Sequence, residues 1–312
     1  MPSFDRSRRA LLTGAGALLA SSSFAPPARA AGSVNILFDS WSTQVLLYKK
    51  PSSLPPNFTG TFPGSEPGRL RTLFDTIARL GWRAHFTEPP ITPFQLAGVN
   101  VYVSLTRFLQ PAFAYQKTEL DALQNWVEAG GNVLLMTNHG ASAGNPTDWT
   151  VNDNDLAARF GVSLWNYFVG PGSESPVVPD SACLGDPLPV LSMSVRHSRY
   201  SLGVERVWAH DSCLIQRTDP LIGDTATVVA FPDDATAYNP ANGTIVTPFP
   251  PYFGLEVSHG AGKALVLGNS GWVGDEDTCQ PAPGLIHQAS NLQFVVNCLS
   301  VLGGAPPIKL RD

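Results

Sequence analysis

Four polar clusters follow apolar runs of the chain that have the composition of β-strands. The clusters are Asp39-Ser40-Trp41, Thr106-Arg107, Asn138-His139 and Asn269-Ser270. Because open parallel sheets bind ligands beyond the carboxyl ends of their strands, we expect all four at one edge of a sheet. A hydrolytic site would then use His139 as the base and Asp39 to orient it. The candidate nucleophiles of such a site are Ser40 and Ser270.

The same clusters also suit ligand binding without catalysis. Amide, guanidinium and indole groups offer hydrogen-bond donors and flat faces to a ligand. The residues that we predict to bind a ligand are Asn138, Asn269, Trp41 and Arg107. Aromatic rings beside polar strand ends favour a carbohydrate, because they can stack on sugar rings. The alternative is that the polar side chains satisfy loop amides and that the rings pack within their loops.

No local pattern indicates a metal or a cofactor, and we predict neither. The six histidines lack the H-x-x-x-H and H-E-x-x-H spacings, and the four cysteines form no C-x-x-C pair. A metal site assembled from distant residues such as His139, Asp39 and Asp275 stays open. The segment Gly260-Ala261-Gly262-Lys263 connects two strand-like runs, so it predicts a hairpin turn rather than a phosphate loop.

The composition argues against a nucleic-acid binder. The chain has 312 residues and a net charge of −5, so no basic surplus exists to neutralise phosphates. Hydrophobic residues make up 43% of the chain, which is enough for a sizeable core. The 28 prolines break helices often and favour a loop-rich α/β fold.

Apolar periodicity predicts strands that alternate with helices. The predicted strands cover residues 34–38, 82–86, 99–105, 132–136, 227–231, 252–258 and 264–267, and the main predicted helices cover 70–80, 117–129 and 292–302. Continuous apolar strands flanked by helices predict a three-layer α/β sandwich with a mostly parallel central sheet. Weak periodicity and many prolines over about 163–250 predict a loop-rich insertion that covers one edge of the sheet.

The first thirty residues have the pattern of a twin-arginine export signal. Ser7-Arg8-Arg9 precedes an apolar stretch over 10–20, and Ala28-Arg29-Ala30 offers small residues for cleavage. We therefore expect a domain over 31–312 that is periplasmic or secreted and keeps no membrane span after cleavage.

Because an oxidising compartment permits disulfides, we favour a bridge between Cys183 and Cys213, both in the loop-rich middle.

Three segments carry a family resemblance. They are the strand that ends at Phe38-Asp39, residues 127–135 (VEAGGNVLL) and residues 260–270 (GAGKALVLGNS). In these segments, and in a final helix over 291–302, the chain resembles the class I glutamine amidotransferase-like superfamily, especially its exported, uncharacterised members and the ThuA-like proteins. The resemblance covers residues 33–140 and 250–303, and it implies a flavodoxin-like fold.

The catalytic cysteine of that superfamily is missing. In catalytic members a cysteine follows the strand that corresponds to residues 132–136, and a histidine activates it. Here the turn has the sequence Asn138-His139-Gly140, and asparagine cannot act as the nucleophile. The superfamily's later His-x-Glu dyad has no counterpart, because Gly260 and Ala261 follow His259. Glutamine-dependent amide transfer is therefore not expected.

These patterns predict an exported, non-catalytic ligand-binding or accessory protein of the cell envelope. Its partner would be a small molecule or a carbohydrate. The alternative is a hydrolase that uses His139 with Ser40 or Ser270 on an envelope or exported substrate. A purely structural interaction domain is a third possibility, and the oligomeric state stays open.

Overall fold

The computed structural model describes most of the chain after the expected signal segment. The described residues are 33–48, 54, 69–87, 89–173, 176–178, 188–219, 223–275 and 284–310. The export signal predicted over 1–30 lies outside them, as do Cys183 and Cys279.

Strands outnumber helices in the described residues. In chain order the strands are β1 (Asn35–Phe38), β2 (Arg83–Phe86), β3 (Val101–Leu105), β4 (Asn132–Met136), β5 (Val162–Gly170), β6 (Val177–Val178), β7 (Leu188–Pro189), β8 (Leu191–Val195), β9 (Val207–Ala209), β10 (Ser212–Arg217), β11 (Thr225–Ala230), β12 (Thr236–Asn239), β13 (Thr244–Val246), β14 (Tyr252–His259) and β15 (Gly262–Leu267). The α-helices are α1 (Thr43–Tyr48), α2 (Arg71–Arg79), α3 (Pro93–Leu96), α4 (Lys117–Glu128), α5 (Val151–Ala158) and α6 (Asn291–Leu302).

A nine-stranded mixed sheet forms the centre of the molecule. Its strand order is β2-β1-β3-β4-β15-β14-β11-β8-β9. The strands from β2 to β15 in this order run parallel, and the remaining pairings are antiparallel. The α/β class is therefore confirmed. The sheet is less parallel than predicted, because strands from the middle of the chain extend it in the antiparallel sense.

The parallel strands are apolar on both sides because helices cover both faces. Along β4, Leu134 and Met136 join the core that contains α2 and α6, whereas Val133 and Leu135 join the core that contains α4 and α5. Of these four helices, α2, α4 and α6 were expected from their apolar spacing. None of the helices in the described ranges combines the length and the apolar character needed to cross a membrane.

The middle of the chain contains more strands than its periodicity indicated. The strands β5, β10, β12 and β13 form a separate antiparallel sheet, while β8, β9 and β11 belong to the central sheet. Their partners are remote: Ile215 of β10 pairs with Leu164 of β5. Short strands that pair over such distances leave little local pattern in the sequence.

The turn between β14 and β15 is the predicted hairpin. His259 pairs with Gly262 in an antiparallel register, which leaves Gly260 and Ala261 as the turn residues. Gly260 has a φ of 61°, a conformation that glycine adopts readily. The segment therefore connects two strands and offers no helix N-terminus to a phosphate.

Of the favoured Cys183–Cys213 disulfide, only Cys213 lies within the described residues, and it is unpaired. Cys213 is a free thiol buried in the core, and Cys298 is free and buried in α6. Burial raises the pKa of both thiols well above the usual value, so neither is a reactive thiolate.

Candidate functional site

The four polar clusters do meet at one edge of the sheet. The strands β1, β3, β4 and β15 run parallel, so their carboxyl ends lie together. The turns that follow them are in contact: Arg107 Nε donates to Asp39 Oδ2 at 2.7 Å. The hydroxyls of Thr106 and Ser270 are 3.0 Å apart. The predicted convergence is therefore observed, but it places most of these side chains in the interior.

Arg107 is the centre of a buried ion cluster beneath this edge. Its side chain is 0% exposed, and it bridges two carboxylates. Besides the contact with Asp39, Nη2 donates to Glu119 Oε1 at 2.9 Å. The guanidinium lies over the ring of Tyr115, with 3.5 Å between Cζ and the ring centroid. Burying charges is costly, and this pairing offsets the cost while it ties the end of β3 to β1 and α4.

The hydrogen-bonding capacity of Asp39 is used within the cluster. Oδ1 accepts the backbone N–H of Trp41 at 2.9 Å, and Oδ2 accepts the hydroxyl of Tyr102 at 2.7 Å in addition to Arg107. Burial and the charge of Asp39 raise the pKa of Tyr102 well above its usual value, so the phenol stays a donor. Asp39 and His139 are both within the described part of the chain, and no hydrogen bond joins them. The expected Asp39–His139 pair is therefore not formed.

Both candidate serine nucleophiles are buried. Ser40 is 5% exposed, and its hydroxyl donates to the backbone carbonyl of Thr87 at 2.8 Å. Ser270 is 1% exposed, and its hydroxyl contacts that of Thr106. Thr106, the partner of Ser270, has a backbone φ of 57°, a value that β-branched residues rarely adopt. Neither serine lies where a substrate can reach it.

Three of the predicted binding residues are also inside. Trp41 is 2% exposed and packs edge-to-face on Phe113, with 5.6 Å between the ring centroids. Arg107 belongs to the ion cluster, and Asn269 is 4% exposed. The role of these residues is to join the turns to one another rather than to face a ligand directly.

The accessible part of the edge, which we call the polar rim, consists of Asn138, His139 and Asp211. Asn269 connects two of its members: Nδ2 donates to Asp211 Oδ1 at 2.6 Å and to Asn138 Oδ1 at 3.2 Å. His139 is half-buried, and its Nδ1 lies 2.6 Å from the carbonyl oxygen of Gly140. Because a carbonyl oxygen can only accept, this contact places a proton on Nδ1.

The turn that carries His139 is docked on β5. The backbone N–H of Gly140 donates to the carbonyl of Tyr167 at 2.9 Å, and that of Ala141 donates to Asn166 Oδ1 at 2.6 Å. A Cβ on Gly140 would lie 2.3 Å from the backbone nitrogen of Tyr167. Glycine is therefore required here by the close approach of two backbones.

Replacing Gly140 with alanine should lower the free energy of unfolding by about 1–3 kcal/mol, because the added methyl group must displace backbone rather than a flexible side chain. Chemical denaturation monitored by circular dichroism measures the loss. Gly144→Ala is the matched control in the same loop, since a Cβ there meets nothing within 4 Å. Equal stabilities of the two variants would contradict the docking.

A third buried carboxyl, Asp153 of α5, lies next to the ion cluster. Its Oδ1 accepts the backbone N–H of Arg107 at 3.0 Å, whereas Oδ2 has no hydrogen-bond partner in the described part of the chain. Burial raises the pKa of Asp153 to about 7, although the hydrogen bond from Arg107 opposes the shift. Asp153 is therefore protonated in the folded chain at mildly acidic pH.

Comparison with known proteins shows the fold and no closer relationship. No family model matches the chain, and no curated protein matches it in sequence. Among solved structures, the mmIFT52 N-terminal domain is similar with a TM-score of 0.57 and 16% identity over 88% of this chain and 100% of that domain. The chain therefore shares the fold of that domain.

Two other solved structures match at lower TM-scores. The cytoplasmic protein STM1381 from Salmonella typhimurium LT2 has a TM-score of 0.49 and 11% identity over 86% of this chain and 99% of that one. A putative ThuA-like protein from Bacteroides uniformis ATCC 8492 has a TM-score of 0.46 and 13% identity over 90% and 98%. At these scores neither match carries a functional argument.

Sequence reasoning missed Glu119 and Asp153, although a signal was present. Glu119 lies four residues before Leu123 on α4, and Asp153 lies three residues before Leu156 on α5, so each acid shares the apolar face of its helix. An acid on an apolar face needs a buried partner. No group of three or more His, Cys, Asp or Glu side chains suited to a metal is present within the described ranges.

Proposed function

We propose that the chain is a non-catalytic ligand-binding protein of the cell envelope, and that its ligand is a carbohydrate. The observation that carries the proposal is the burial of Asp39, Ser40 and Ser270. Their hydrogen bonds are made within the protein, so neither Asp39 nor either of these two serines is available to His139 at an accessible surface. What remains accessible at the strand ends is the polar rim, whose amide, imidazole and carboxylate groups suit recognition of hydroxyls.

The proposal includes membership of the amidotransferase-like superfamily in a form without the catalytic cysteine. The parallel strands with helices on both faces support the flavodoxin-like, three-layer arrangement that this membership implies. Asn138 stands in the turn after β4, and its Oδ1 accepts the backbone N–H of His139 at 2.8 Å. Export by the twin-arginine pathway to the periplasm or the medium, on the pattern of residues 1–30, completes the proposal.

A hydrolysis assay on the full chain and on His139→Ala tests the proposal. We expect neither protein to turn over chromogenic ester, amide or glycoside substrates above the blank rate. We expect the wild type to bind neutral oligosaccharides saturably when followed by tryptophan fluorescence. His139→Ala should weaken this binding about fivefold if it removes one hydrogen bond worth roughly 1 kcal/mol.

Hydrolysis that depends on His139 is the outcome that would contradict the proposal. Turnover by the wild type that His139→Ala abolishes, with the circular dichroism spectrum unchanged, would favour a hydrolase and refute the non-catalytic role. Phe94→Ala, an exposed change on α3 that lies away from the rim, serves as the control.

A further inference from the structure

A groove of about 740 Å³ opens directly beside the polar rim. It lies between residues 141–143 with Pro146, residues 164–167 of β5 and residues 238–241 at the end of β12. The pairing of β12 with β5 covers only Phe168 to Gly170, so on the side of β5 that faces β12 the preceding residues border the groove. The volume falls within the range of about 300–1,000 Å³ that is typical of small-ligand sites.

We infer that this groove binds a neutral oligosaccharide, with Trp165 as the stacking platform. The inference rests on the proposed binding function and assigns it a ligand class and a place. It is carried by three features of the groove: an aromatic pair of which Trp165 is exposed, polar groups that keep hydrogen-bond donors, and a lining without charge.

The aromatic pair is Trp165 and Tyr167. Trp165 is 37% exposed, which is unusual for so large an apolar side chain on a strand. Its ring lies 5.8 Å from that of Tyr167, at an interplanar angle of 37°. The Tyr167 hydroxyl accepts a hydrogen bond from Asn239 Nδ2 at 2.8 Å, which fixes the ring. The indole therefore stands in a supported position, and the C–H face of a pyranose ring can pack against such a surface.

The polar groups of the groove retain donors after their internal hydrogen bonds are made. Asn166 uses Oδ1 to accept the backbone N–H of Ala141 at 2.6 Å, so this contact leaves the donors of its NH₂ group unused. The Tyr167 hydroxyl accepts from Asn239, so its own hydrogen remains for a ligand. Side chains held in this way lose little entropy when they bind, which favours the ordered hydroxyls of a sugar.

Charge decides between ligand classes. None of the residues that line the groove is Asp, Glu, Lys, Arg or His. A phosphate, a nucleotide or an acidic sugar would be buried there without a cation, which is unfavourable. A neutral polyhydroxylated chain matches the aromatic and amide lining.

Calorimetric titration of the full chain with cellotetraose, mannotetraose, xylotetraose and maltotetraose tests the inference, with trigalacturonate as the acidic comparison. We expect at least one neutral tetrasaccharide to bind and trigalacturonate not to bind. Trp165→Ala should weaken the binding about tenfold or more, and Trp165→Phe should weaken it less, because phenylalanine keeps an aromatic face. Phe94→Ala is the matched control, since Phe94 is 89% exposed and lies on α3, outside the groove.

The outcomes separate this inference from the proposed function. Affinity that is unchanged in Trp165→Ala, or equal for trigalacturonate, overturns the groove as the site. If His139→Ala abolishes binding while Trp165→Ala keeps it, binding belongs to the polar rim and only the groove assignment fails. If no neutral tetrasaccharide binds, both the groove assignment and the carbohydrate ligand of the proposed function are refuted.

Discussion

Replacing Arg107 with methionine should lower the free energy of unfolding by about 3–5 kcal/mol, because two carboxylates would stay buried without their cation. Asp39 and Glu119 both contact the guanidinium, and the three side chains are inaccessible to solvent. Guanidinium chloride unfolding monitored by circular dichroism gives the difference. Arg107→Lys should lower the free energy of unfolding by a smaller amount, because lysine keeps the positive charge although it lacks the planar, multidentate geometry of arginine.

The controls for this prediction lie within the chain. Arg159→Met breaks the ion pair between Arg159 and Asp121, whose side chains are 28% and 37% exposed, respectively. It should lower the free energy of unfolding by no more than about 1 kcal/mol. If Arg107→Met does not fold, the triple variant Asp39→Asn, Arg107→Met, Glu119→Gln should fold, because it removes all three buried charges together. A loss in Arg107→Met no larger than in Arg159→Met would contradict the structural role of the ion cluster.

Asp153→Asn should be more stable than the wild type at pH 8, and this advantage should vanish near pH 4. The pKa of Asp153 is raised by burial to about 7, whereas the carboxyl has its ordinary, lower pKa in the unfolded chain. Between these values the folded chain holds a proton that the unfolded chain has released, so the wild type loses stability as the pH rises through this window. A shift of about three units corresponds to roughly 4 kcal/mol at most.

Denaturation at several pH values between 4 and 8 measures this effect as the difference between variant and wild type. Asparagine keeps the shape of the side chain and an oxygen that accepts the backbone N–H of Arg107. Asp155→Asn, an exposed change on the same helix, should follow the wild type at every pH. If the free energy of unfolding of Asp153→Asn declines between pH 4 and pH 7 as steeply as that of the wild type, the Asp153 carboxyl is not the cause of the pH dependence.

The convergence of the polar clusters was predictable because it depends only on strand direction. The runs at β1, β3, β4 and β15 are apolar enough to be recognised, and parallel neighbours place their carboxyl ends together whatever their sequence separation. The strand over 132–136 and the final helix were predicted close to their observed bounds. Local apolar patterning was sufficient for these elements.

The burial of the clusters was not predictable by the same reasoning. Asp39 and Arg107 are 68 residues apart, and nothing local to either indicates that they form a pair. The groove was missed for a related reason. Trp165 lies on a strand whose partners come from residues 212–217 and 236–239, and the periodicity of that region is weak. Pairing over long distances decides which side chains stay at the surface.

We propose that the chain recognises a sugar and leaves it intact. The most direct test is to incubate the full chain with an excess of the tetrasaccharide that binds best, separate the complex, and identify the released sugar by mass spectrometry. We expect the tetrasaccharide to be bound in stoichiometric amount and recovered uncleaved. Recovery of shorter sugars from the wild type, and of intact tetrasaccharide from His139→Ala, would contradict it.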